Sequence, residues 1–182
     1  MARPTDELRA DHAAVEAGLA VLAGIGAHVR AGGRFPALDT AVVLRFLREF
    51  VVGVHFRREN EIVWPAMAMR ACNATAAAVG ELMRAQDEAH DLIQSLVFFW
   101  EPVGELTDDE CRGFADTVDA LRTAMQHLQT NEEAMFDDCE ATVPPDDQLD
   151  WRAQFRALET GRTPRTTWER ELRRLAQAWT AA

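Results

Sequence analysis

Apolar residues recur along this chain at the three- and four-residue spacing of amphipathic helices, and the period-two alternation of a strand is missing throughout. From Thr5 the positions Leu8, Val15, Leu19 and Leu22 trace one helical stripe, with Thr5 as N-cap, that fades around the glycines before Phe35. After Pro36, Asp39 or Thr40 caps a second run through Val43, Leu47, Phe50, Val54 and Val63, ending near Arg70 and expected to bend or break at Pro65. Thr75 opens a third run with Leu82, Leu92, Ile93, Leu96 and Phe99, which Pro102 and Gly104 stop. Thr107, with Glu110 three residues on, is a capping box for a fourth through Phe114, Val118, Leu121, Met125, Leu128 and Met135. Short connections make successive helices antiparallel neighbours. The pattern therefore predicts an all-α, antiparallel up-down four-helix bundle over residues 1–143.

Beyond Pro144 and Pro145 the chemistry shifts: residues 1–143 hold twelve arginines and twenty-four acids, whereas residues 144–182 hold seven arginines and six acids. Trp151, Phe155 and Leu158 indicate a short helix, and Thr166 with Glu169 caps another bearing Trp168, Leu172, Leu175 and Trp179. Residues 144–182 thus read as a C-terminal helical extension. Its spaced tryptophans need cover, either on the bundle or against a partner subunit, so monomer and homodimer both stay open; a dedicated partner-binding helix is the sharper alternative.

With 182 residues and 48% apolar content, the chain suits one domain with a real core and a modest appendage. The net charge of −11 repels phosphate backbones and anionic lipid, so neither nucleic acid nor a membrane is an expected partner. No run approaches about 20 uninterrupted apolar residues, and the polar start lacks a signal-peptide core, so a cytoplasmic location is expected. Cys72, Cys111 and Cys139 are odd in number and widely spaced, which indicates reduced thiols and neither a disulfide framework nor a thiolate zinc site. Every basic residue is arginine and tyrosine is absent, which removes one common redox relay.

The histidines carry the chemistry. His12, His55, His90 and His127 fall one to each predicted helix, with only His28 left over. His12 continues the stripe of Leu8, Val15 and Leu19; His55 lies four residues after Val51. One inward histidine is ordinarily a hydrogen-bonded core residue, but four converging imidazoles are costly to bury unless something shared satisfies their nitrogens, and a metal ion does so. Four residues after each stands a carboxylate or an amide, namely Glu16, Glu59, Gln94 and Asn131, and an i,i+4 pair on one helix face can reach one ion.

HFRRENEIVWP from His55 aligns without gaps to HLQTNEEAMFD from His127. With His12 alone on the first helix and EAH at His90, the set resembles the hemerythrin or HHE cation-binding family over roughly residues 5 to 140. The resemblance implies an antiparallel four-helix bundle, a di-iron centre with histidine terminal ligands and bridging carboxylates, and ligand roles for His12, His55, Glu59, His90 and His127. Activities in that family include reversible O2 binding, peroxide or nitric oxide handling and iron sensing.

Two positions depart from the family pattern. A second H-x-x-x-E would place its acid at Asn131, a neutral and poor bridge. The oxygen carriers place it five residues after the histidine, where Glu132 stands on the stripe of Leu121, Met125 and Leu128; Glu132 is the leading replacement, with Glu16 behind it, although a solvated or packing role is the ordinary expectation for Glu16. A histidine four residues before the one on the third helix is replaced by Gln86. The expected cofactor is iron, as a di-iron centre or, if Glu132 does not bridge, as a single metal, with zinc as a further option. The expected function is binding or reduction of O2, H2O2 or NO, leaning to redox chemistry; the alternatives are an iron-dependent enzyme acting on a small organic substrate, or a non-catalytic carrier or sensor. No cofactor loop, nucleophile triad or phosphate motif is present, so any catalysis belongs to the metal.

Overall fold

A computed structural model describes residues 3–70, 73–100 and 106–180, and among these every regular element is helical. Helix α1 spans Pro4–Arg30. Helix α2 is one continuous helical run made of Ala37–Phe46, a π-helical segment Leu47–His55, the single turn Phe56–Arg58, a second π segment Glu59–Val63 and Trp64–Arg70. Helices α3 (Asn73–Trp100), α4 (Asp108–Thr142), α5 (Pro145–Glu159) and α6 (Arg165–Trp179) complete the described chain.

The start signals held unevenly. At α4, Glu110 N–H donates to Thr107 Oγ1 (3.3 Å) and Thr107 N–H donates to the Glu110 carboxylate (2.8 Å), the reciprocal pair that satisfies two otherwise orphaned amides. Thr5 does not cap α1: it lies inside the first turn, behind Pro4, and its hydroxyl donates to Glu140 across the bundle at 2.5 Å. Asp39 and Thr40 likewise lie within the first turn of α2, and Asp39 accepts from the Trp179 indole at 3.0 Å. Thr166 lies inside α6, whose N-cap is Pro164. Pro65 does not break α2. The change from π to α bonding falls there, so the missing N–H is absorbed where the ladder already shifts register. Pro102, Gly104 and Cys72 lie outside the described residues.

Helix α1 packs on α4, α2 on α3, and α3 on α4, closing a four-helix bundle around a core that includes Leu8, Val15, Leu22, Phe50, Val54, Ile93, Leu96, Phe114, Leu121 and Leu128. By length and composition α1 alone among the described helices matches a membrane span, yet its apolar surface is spent against α4 and α6. The extension lies on the outside of this bundle: α6 runs along α1 and α2, and α5 rests on α1 and the middle of α2. Trp168 stacks edge-on against Phe46 with ring centroids 5.8 Å apart, and Gly18 of α1 leaves room for Phe46, because an added Cβ would sit 2.7 Å from that ring.

Candidate metal centre

Four side chains converge between α1, α2 and α4. His12, His55, Glu59 and Glu132 each offer a ligand atom, and these atoms all lie within 4.8 Å of one another. His55, Glu59 and Glu132 are completely buried, and His12 is 5% exposed. Burial of this kind demands partners, yet His12 Nε2, both ring nitrogens of His55, Glu59 Oε1 and both Glu132 oxygens accept or donate no hydrogen bond. His12 Nε2 stands 3.1 Å from Glu132 Oε2 and His55 Nε2 stands 3.7 Å from Glu59 Oε1, without hydrogen-bond alignment in either case. Unpaired lone pairs from two imidazoles and two carboxylates facing one point fit a divalent cation.

Local structure explains why these residues meet. His55 closes the first π segment of α2 and Glu59 opens the second, so the widened turns bracket both donors; π turns commonly occur where a helix must aim side chains at a site. On α4 the stripe Leu121, Met125, Leu128, Glu132, Met135 and Cys139 faces the core, and Glu132 takes one place in it. Phe136 packs beside His12 (ring centroids 5.5 Å apart) and stacks on Trp64 (5.9 Å), forming an apolar wall.

Electrostatics support a positive occupant. Burial, and next the adjacent Glu132 charge, push the Glu59 carboxyl well above its ordinary range, although Gln86 donates to its Oε2 at 2.6 Å. At His12 burial works against the charged ring, yet Glu132 and Glu133 outweigh it and raise its pKa. Burial also opposes the charge of Asp11, but His55, Arg58 and Arg165 prevail and hold that carboxyl low. His12 Nδ1 pairs with Glu133 at 3.0 Å, which turns Nε2 inward.

The other expected ligands lie elsewhere. His90 is half-buried and pairs with Gln94 on its own helix (3.1 Å), because the inward face of α3 runs through Leu82, Gln86, Ala89, Ile93 and Leu96. His127 is exposed, pairs loosely with an exposed Asn131 (3.4 Å), and lines an open groove between α3 and α4 with Glu88, Asp91 and Asp119. In a straight α-helix residues five apart point about 140° apart, so His127 and Glu132 do not share a face. Glu16 is exposed at a recess of about 340 Å³ on the α1 and α4 surface, with Arg122, Gln126 and Gln129. His28 is exposed and pairs with the Arg34 carbonyl (3.2 Å).

This corrects the convergence of four histidines and the ungapped repeat. By burial, Glu132 corresponds to Glu59, so the counterpart of His55 is Leu128, one residue after His127. The third and fourth helices therefore present Gln86 and Leu128 to the core, while His90 is only half-buried and His127 is exposed. Asp11, Glu133, Arg58 and Arg165 were missed as supporting residues. A signal existed for Asp11 alone, an acid three residues after Leu8 on an apolar stripe.

Comparison with protein families matches residues 3–101 to the hemerythrin HHE cation binding domain. Neither the curated proteins nor the solved structures contain a match to the chain.

Proposed function

The chain belongs to the hemerythrin HHE cation-binding family, and from that premise we propose that His12, His55, Glu59 and Glu132 hold one non-haem iron ion with which the protein binds or reduces a small oxidant. The observation that carries this reading is the set of buried, unpartnered nitrogen and oxygen atoms within 4.8 Å of one another. Two neutral imidazoles and two carboxylates match the borderline hardness of ferrous iron, and zinc would accept the same donors. Iron in such a setting supplies electron exchange with O2, peroxide or NO. The protein's own part is to aim the donors, to keep Nε2 of His12 inward through Glu133, and to exclude bulk water with Phe136 and Trp64. Near-complete burial of all four donors favours a reactant of a few atoms.

One ion fits better than two, because the inward positions on α3 and α4 carry Gln86 and Leu128 in place of imidazoles. A second reading, oxidation of a small organic molecule, draws on the 340 Å³ recess. Its lining residue Gln129 is buried with an unpartnered Nε2, and lies one turn before Glu132 on α4.

Metal analysis of protein purified without added metal, with optical spectra before and after O2 and H2O2, tests the proposal. About one iron per chain is expected, with catalytic consumption of oxidant. About two irons per chain would instead indicate a dinuclear centre that recruits His90 or His127. Metal-free, fully folded protein in which His12 and His55 titrate freely would overturn the metal reading. Reversible oxygenation without turnover would overturn the lean to redox chemistry.

A further inference from the structure

The C-terminal extension reaches the underside of this centre. Asp11, one residue before His12 and completely buried, faces His55 Nδ1 with its Oδ2 at 3.5 Å. Two arginines hold that carboxylate, one on each oxygen. Arg58 Nη1 donates to Oδ2 at 2.5 Å, and Arg165 Nη1 donates to Oδ1 at 2.9 Å and to the Glu7 carbonyl at 3.2 Å. Arg58 in turn is fixed by α5: its Nη2 donates to Glu159 at 2.5 Å, and its guanidinium lies over the Phe155 ring, 5.0 Å from the centroid. Glu169 accepts from Arg165 Nε at 3.1 Å and orients it.

A buried carboxylate would otherwise seek solvent or take a proton, and two charge-assisted bonds keep it ionised and in place. An ionised Asp11 facing Nδ1 favours the imidazole tautomer that carries its proton there, which leaves Nε2 free toward Glu59. Arg165 thus stands two contacts from His55, and Glu159 stands three. We propose that Arg165, together with Glu159 acting through Arg58, is a positioning element of the metal centre, so that the extension is part of the site's construction as well as cover for the bundle. This rests on the reading of His55 as a ligand.

The test uses full-length Arg165→Ala, Arg165→Lys, Glu159→Gln and His55→Ala, with Arg174→Ala as a control on the exposed side of α6. Zn2+ is the diamagnetic probe, with affinity measured by chelator competition, and the His55 ring tautomer is read from nitrogen-15 NMR of the metal-free protein. Arg165→Ala should weaken Zn2+ binding by about 10- to 100-fold and shift His55 away from its Nδ1–H tautomer. Arg165→Lys and Glu159→Gln should fall between it and the wild type, and Arg174→Ala should match the wild type. A purely structural role would lower stability without moving the tautomer. The inference is overturned if His55→Ala abolishes binding while Arg165→Ala and Glu159→Gln leave tautomer and affinity unchanged, or lower affinity with the tautomer intact. Should His55→Ala itself bind Zn2+ like the wild type, the ligand reading falls first and this inference with it.

Discussion

Glu132 and Asn131 are neighbours in sequence, about 100° apart around α4, and that rotation separates a buried donor from a solvated amide. Replacing Glu132 by alanine should remove most bound metal while leaving helix content near that of the wild type, because the bundle is held by its apolar seams. Asn131→Glu, by contrast, adds a charge on the exposed face. It should leave metal stoichiometry unchanged and stability within about 0.5 kcal/mol. Iron analysis and urea titration of the two variants decide this; more iron in Asn131→Glu would show that α4 turns in the loaded protein.

At the scale of elements, α2 and α4 supply donors by different devices. In α2 two π segments bracket His55 and Glu59, whereas α4 stays a regular α-helix and delivers a single carboxylate from its apolar stripe. Regularity over Asp108–Thr142 makes the α4 N-terminus an anchor, since its capping box fixes where the 35-residue helix begins. Thr107→Ala should therefore cost about 1 kcal/mol in chemical denaturation and leave metal content unaltered, because the cap lies seven turns from Glu132 at about 3.6 residues per turn. A loss of metal in that variant would show that the start of α4 sets the register of Glu132.

For the whole molecule, proton and metal compete for one buried volume. In the metal-free protein Glu59 and His12 both bind protons more tightly when folded, their values lying above the ordinary 4.5 and 6.5. Their contribution is complete below those ordinary values and is lost as pH rises through the folded ones. Asp11 is opposite: held below 3.8, it stabilises above that value and loses its effect as pH falls through the depressed one. As pH rises beyond the ordinary 4.5 and 6.5, this pair progressively loses its contribution, so the melting temperature of chelated protein should fall over that interval. Metal binding requires deprotonated donors, so the stabilisation produced by added metal should grow over the same interval. Calorimetry with and without chelator reads both slopes, and a chelated melting point that climbs with pH would contradict the placement of these charges.

Periodicity carried the architecture into the sequence: the four bundle helices, the helical extension and, alone among the expected caps, the capping box at Thr107 rest on local patterns of apolar and polar residues, which a chain displays without its partners. His12 and His55 were legible for the same reason, since each lies on or beside an apolar stripe, and Glu59 followed from its place four residues after His55. What spacing could not convey was rotation about the helix axis. One residue of register, about 100°, moves Leu128 inward and His127 outward, and a gapless repeat carries no information on that angle. The π segments of α2 are equally silent, because an apolar stripe does not record which hydrogen-bond ladder carries it. Asp11, Arg58 and Arg165 were beyond reach for a further reason. Their partnership spans 154 residues between Asp11 and Arg165, and only the folding of α5 and α6 back onto α1 and α2 brings these charges together.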